Sequence, residues 1–145
     1  AGKRGEVPVG AVIIDPKKKL IIASAGNRVR ETNDPTAHAE ILVIREATKI
    51  LKSPRLNPYN LFVTLEPCPM CASAISLARI KHLYIGAYDP KGGGVFHGPR
   101  IFNQFTCNHK PEITSGHQEE HAKNLLKEFF RNRRLEKHTA NKTPN

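Results

Sequence analysis

The chain has 145 residues, enough for one ordinary domain with a single core, and 39% of them are hydrophobic. No apolar run approaches the roughly 20 residues of a membrane-spanning helix and none has the form of a signal peptide, so a membrane location is not expected. Three cysteines do not make a disulfide framework and fit a reducing cytoplasm, while a net charge of +10 favours a polyanionic partner.

In chain order, Glu6 to Ile14 reads as a buried strand rich in Val and Ile, and Leu20 to Ala25 as its hairpin partner. Between them, Asp15-Pro16 followed by Lys17-Lys18-Lys19 reads as a solvated turn. Gly26 to Pro35 is polar and turn-rich, hence a loop. Thr36 to Leu51 reads as a helix, with Ile41, Ile44, Thr48 and Leu51 along one side. Two prolines mark Ser53 to Asn60 as a connector. Leu61 to Leu65 is a strand, Ala72 to Ala78 a helix entered through Pro67 and Pro69, and His82 to Ala87 another strand. Tyr88 to His109 is a long loop containing Gly92-Gly93-Gly94, and a loop of that length in a compact domain is often functional. Glu112 to Ser115 is a short strand. From Gln118 a helix follows, with the apolar stripe Ala122, Leu125, Leu126, Phe129, Phe130 and then the basic cluster Arg131, Arg133, Arg134, Lys137. The expected domain runs over residues 1–138, with 139–145 a frayed tail. The chain enters its first strand almost at once, so a helix upstream of the present numbering is expected. Helices placed between strands indicate an α/β sandwich with partly parallel pairing.

The segment Pro67-Cys68-Pro69-Met70-Cys71, taken with His38-Ala39-Glu40, carries the chemistry. It supplies three zinc-type ligands and one unspent carboxylate. Three protein ligands leave the fourth position of a tetrahedral zinc for water, which marks a catalytic site. Cys68 and Cys71 at a helix start turn both sulfurs to one side, near the positive end of the helix dipole, which favours thiolates. Glu40 is left free to move protons. The pairing of H-x-E with P-C-x-x-C matches the known signature of zinc-dependent nucleobase deaminases. His38 and Glu40 sit two apart and would face opposite sides of a regular helix, so both reach one site only if His38 lies at an irregular first turn. Asp34-Pro35-Thr36 makes a helix start there plausible. A fourth ligand from Cys107 or His109 would instead close the site into a structural one.

Glu6-Val-Pro-Val-Gly-Ala-Val12, Asn33-Asp-Pro-Thr-Ala-His-Ala-Glu40 and Val63-Thr-Leu-Glu-Pro-Cys-Pro-Met-Cys71 resemble the bacterial tRNA-specific adenosine deaminases, members of the cytidine-deaminase-like superfamily. The resemblance runs from about Glu6 to Arg134. Gly26-Asn27-Arg28 and Glu128-Phe-Phe-Arg-Asn-Arg-Arg134 are its more specific parts. It implies a three-layer α/β/α fold on a five-stranded mixed sheet, one zinc per subunit, and a homodimer packed partly through the cysteine helix. The implied activity is hydrolytic conversion of adenosine to inosine at the wobble position of a tRNA anticodon. Zinc ligands would be His38, Cys68 and Cys71, with Glu40 the proton shuttle. Asn27 would hydrogen-bond the base, although the residues alone read it as a turn asparagine, and Asp89 would lie near the nucleotide's sugar. Asn108 and His109 would lie in a loop approaching the RNA, and Phe130, Arg131, Arg133 and Arg134 on a helix against the anticodon loop. The loop Val95-Phe96-His97-Gly98-Pro99-Arg100 departs from the family form by its length.

Two other functions share part of this pattern. A deaminase of a free base or nucleoside, of guanine or cytosine type, would carry the same ligand motif, but a small neutral substrate gains nothing from the charge of +10. A non-catalytic RNA-binding module with a structural zinc would have no use for Glu40.

Overall fold

The computed structural model describes residues 9–115, and every structural statement below concerns those residues. The helix expected from Gln118, its apolar stripe, the basic cluster and the tail 139–145 lie outside them, as do Glu6 to Pro8. Five strands form one mixed sheet in the order β2-β1-β3-β4-β5. β1 (Gly10–Asp15) and β2 (Leu20–Gly26) form the expected hairpin. Asp15 Oδ1 accepts the amides of Lys17 and Lys18 at 2.9 and 3.1 Å, which folds the three exposed lysines into a solvated turn. β3 (Asn60–Leu65) runs antiparallel to β1, whereas β4 (His82–Ala87) is parallel to β3 and β5 (Glu112–Thr114) is parallel to β4. A parallel pair needs a crossover, and α3 (Pro69–Ala78) supplies it between β3 and β4.

Alternation along the strands divides the sheet into two faces. Ala11, Ile13, Leu61, Val63, Leu83 and Ile85 join Ala39, Val43 and Ala47 of α2 (Ala39–Leu51) and Ala72 and Ile75 of α3 in one core. Val12, Ile14 and Phe62 form a second cluster on the other face, with Ile21 and Tyr84 against it. There the Phe62 and Tyr84 rings stack at 4.3 Å, and His82 continues the ladder at 4.1 Å. The architecture is the α/β sandwich on a five-stranded mixed sheet that the sequence indicates.

Three details differ from the sequence reading. The loop Gly26–Pro35 contains one helical turn, α1 (Val29–Thr32). The helix read from Thr36 begins at Ala39, because His38 is extended with φ −73° and ψ 151°. Its most buried line is Ala39, Val43 and Ala47, while Ile41, Ile44, Thr48 and Leu51 are only partly buried. The alanines let the helix approach the sheet closely, and the large apolar residues fill the flanks. The long loop also holds a 3-10 turn, Ile101–Asn103.

The N-termini of α2 and α3 meet beside the C-terminal ends of β3 and β4, the usual place for a ligand in an open α/β sheet.

Candidate active site

His38 is the N-cap of α2 and Cys68 the N-cap of α3, both in extended conformation. That geometry removes the obstacle in the sequence. His38 stands outside the helix, so its ring and the side chain of Glu40, in the first turn, can serve one site. Pro69 at the first turn of α3 has the φ a helix start requires and leaves Cys71 inside that turn. Asn27, buried, sends Oδ1 to the Ala39 amide at 2.7 Å, which satisfies one of the unpaired amides at the start of α2.

The ligand atoms of His38, Cys68 and Cys71 all lie within 4.8 Å of one another. His38 Nδ1 is 3.6 Å from Cys68 Sγ and 3.5 Å from Cys71 Sγ. Zinc–nitrogen and zinc–sulfur bonds of about 2.0–2.1 and 2.3 Å give a tetrahedral N···S edge of roughly 3.6 Å. The donor set therefore fits zinc in both chemistry and spacing. Cys71 donates to Cys68, and this shared proton, with the Cys71 amide and His38, brings the Cys68 thiol down to about 5 against the opposing effect of burial. The same bond, reinforced by burial, pushes Cys71 up. Glu40 is outside the ligand group and 4% exposed. Burial pushes its carboxyl up, the Cys68 charge adds to this, and its own amide and Cys71 partly offset it. A carboxyl raised toward neutrality suits general acid–base work.

These groups open into a cleft of about 300 Å³, at the small end of ligand pockets. Asn27, His38, Glu40, Cys68 and Asp89 line it, as do Val9, Val29, Arg30, Leu65 and Glu66. Residues 54% identical to this chain are found in a tRNA-specific adenosine deaminase of Agrobacterium fabrum, over 94% of this chain and 88% of that protein. A deaminase family model, MafB19-like deaminase, matches residues 1–134. The chain belongs to the tRNA-specific adenosine deaminases. A solved structure from work on A-to-I editing by tRNA:A34 deaminases is 58% identical, with a TM-score of 0.77 over 80% of this chain and 88% of that one. A guanine deaminase from Bacillus subtilis is 32% identical, with a TM-score of 0.55 over 86% of this chain and 79% of that one.

In this deaminase neither Cys107 nor His109, the two candidates for a fourth ligand, turns to the group. Cys107 Sγ lies 3.4 Å from Ser76 Oγ and donates to the His109 carbonyl, and His109 Nε2 is 2.6 Å from the Ile80 carbonyl. The structure does not bring Asn108 or His109 into the cleft. Asn108 is exposed along a separate groove beside α3, and the His109 ring holds its own loop. Phe130, Arg131, Arg133 and Arg134 lie outside the described residues.

Sequence reasoning missed Arg30, the only cation lining the cleft among the described residues. It also missed Glu66, read only as part of a motif. Glu66 is 3% exposed and accepts from the amides of Asp89, Val95, Phe96 and His97 and from His97 Nδ1. Burial pushes its carboxyl up, but these donors outweigh it and hold it below the ordinary range.

Proposed function

We propose that this protein converts adenosine to inosine hydrolytically at the wobble position of a tRNA anticodon, with zinc held by His38, Cys68 and Cys71. The observation that carries the reading is the three-donor group facing a cleft beside Glu40, in a chain that belongs to this family. When bound, zinc supplies a hydroxide nucleophile by lowering the pKa of water from 15.7 toward about 7. Glu40 takes the proton released, passes it to N1 as C6 is attacked, then carries the hydroxyl proton to the amino group, which departs as ammonia. Asn27 spends its carbonyl on Ala39, so its NH₂ is the group that faces the base. Asp89 and Arg30 line the same cleft, where Asp89 would meet the sugar and Arg30 a phosphate. The base has to leave its stack, and an anticodon loop is already single-stranded, which lowers that cost.

Asn108 stays available to RNA, and His109 serves it by bracing the loop. Arg131, Arg133 and Arg134 bind the phosphates of the anticodon loop, with Phe130 against the same loop. Replacing the three arginines by Ala is expected to weaken stem-loop binding and to lower the slope of log K against log salt by up to about 0.9 per lost phosphate contact on a duplex, less on a single strand. An unchanged slope, read by titration at several salt concentrations, would make the cluster a solvated face.

The active form is a homodimer in the cytoplasm, each subunit a single domain over residues 1–138. Leu77 of α3 is 79% exposed and lines the groove beside α3, an apolar side chain a second copy would cover. Leu77→Asp is expected to shift the sedimentation coefficient to that of a monomer. A dimer that survives it would place the interface elsewhere. No helix among the described residues is long and apolar enough to cross a membrane.

The deciding experiment is mass spectrometry after incubating zinc-loaded protein with an anticodon stem-loop carrying adenosine at the wobble position, with free adenosine, cytidine and guanine in parallel. Inosine in the stem-loop alone is the expected result. Turnover of a free base or nucleoside alone would move the protein to the small-molecule deaminases, whose fold it shares.

A further inference from the structure

Glu66 stands two residues before Cys68, just past the end of β3, and its backbone amide still donates to Ala87 O beyond the parallel pair, at 2.8 Å. Its side chain is fully buried. A carboxylate removed from water is costly unless its lone pairs are met, and here they are. Oε1 accepts the Asp89 amide at 3.2 Å and His97 Nδ1 at 2.9 Å. Oε2 accepts the amides of Val95, Phe96 and His97 at 3.2, 3.1 and 3.3 Å. Successive amides converging on one oxygen make the concave anion site known from phosphate-binding loops, and this one is filled by the protein's own carboxylate.

The loop is wrapped too closely for side chains. A Cβ at Gly93 would collide with Glu66 Oε2, and one at Gly94 would lie 2.5 Å from Pro69 N. Gly94 in turn donates its amide to Pro67 O at 2.7 Å. Pro67 is the single residue between Glu66 and the ligand Cys68. The carboxylate thus grips the loop on one side of that peptide and the loop grips the peptide back. At the loop's other end the same carboxylate fixes the amide of Asp89, which lines the cleft. Its oxygens are saturated by donors, so it has no free lone pair with which to carry protons for the reaction.

We propose that Glu66 is a positioning residue that ties the metal ligand Cys68 and the cleft residue Asp89 into one unit, so that metal affinity and substrate fit depend on it together. The inference rests on the deaminase reading for its substrate half only.

The test compares Glu66→Gln, Gly93→Ala and His97→Ala with wild type. Glutamine keeps the shape but presents an NH₂ to the converging amides. Alanine at 93 displaces the carboxylate without altering it, and alanine at 97 removes one side-chain donor of the five contacts. Zinc affinity is read by competition with a chromophoric chelator, and KM and kcat on the stem-loop at saturating zinc. Glu66→Gln and Gly93→Ala are expected to lose about 10- to 100-fold in zinc affinity, the usual cost of losing an outer partner of a ligand. KM is expected to rise by a larger factor than kcat falls, and His97→Ala to move both quantities the same way by less. Folded variants with wild-type zinc affinity and KM, even if they melt earlier, would overturn the proposal and leave Glu66 a loop anchor. If Glu66→Gln does not fold, the other two decide by the same readouts. Zinc competition needs no substrate, so failure of the wild type on the stem-loop would sink the functional reading without touching this half.

Discussion

Glu40→Ala is expected to keep its zinc and lose turnover by about 10²- to 10⁴-fold or more, since one carboxyl serves several proton transfers. The geometry separates the two properties. His38, Cys68 and Cys71 form the donor group without Glu40, while Glu40 lines the same cleft. Metal analysis beside a stem-loop assay checks both. Near-normal turnover by the zinc-loaded variant would remove Glu40 from the mechanism. Glu40→Gln sharpens the test because it keeps shape. Burial raises the folded carboxyl above its unfolded value, so in the metal-free protein the stability linked to this group is full below the ordinary carboxylate range and is lost as pH rises through the raised value. Above that value the ionised group is a cost. The glutamine variant should melt at the same temperature as wild type or higher, as is common when a strained functional residue is replaced. Lost activity together with retained stability would be hard to assign to misfolding.

The donor group and the carboxyl beside it were legible because each sits in a short motif whose spacing the chemistry constrains. His38 at an irregular helix start was foreseeable from the need for Glu40 to share its site, and the extended N-cap meets that need. The strands from Leu20 to Ala87 were legible from apolar runs and turn residues. The buried line of α2 was not, because Ala39 and Ala47 carry little hydrophobic signal and only the sheet shows that small residues are wanted there. Asn27 reads as a turn residue until the chain brings Ala39 to it. Glu66 was invisible for a similar reason. Its donors lie 23 to 31 residues away in a glycine loop, and no local pattern announces a carboxylate that backbone amides enclose. Asn108 and His109 lie outside this cleft because Ile80 and Ser76 hold their loop against α3.

Removing zinc with a chelator is expected to abolish turnover and leave the fold standing, and returning zinc is expected to restore activity. The donor group joins only the N-caps and first turns of α2 and α3. The main core, from Ala11 and Ile13 through Leu83 and Ile85, is buried independently of it. The three donors are also held in place without metal, by the Asn27–Ala39 bond, by buried Pro67 and by contacts of 3.5 and 3.6 Å among themselves. Zinc then adds stability only by mass action, about 4.1 kcal/mol at a thousand times its dissociation constant. The melting temperature should fall on stripping, with circular dichroism at 25 °C unchanged. A structural zinc behaves otherwise, because its binding energy is the folding energy and chelation unfolds the domain. Collapse of the far-ultraviolet signal on chelation would therefore favour the closed, non-catalytic reading. A folded, inactive protein that zinc revives would mean that the metal is there for the reaction.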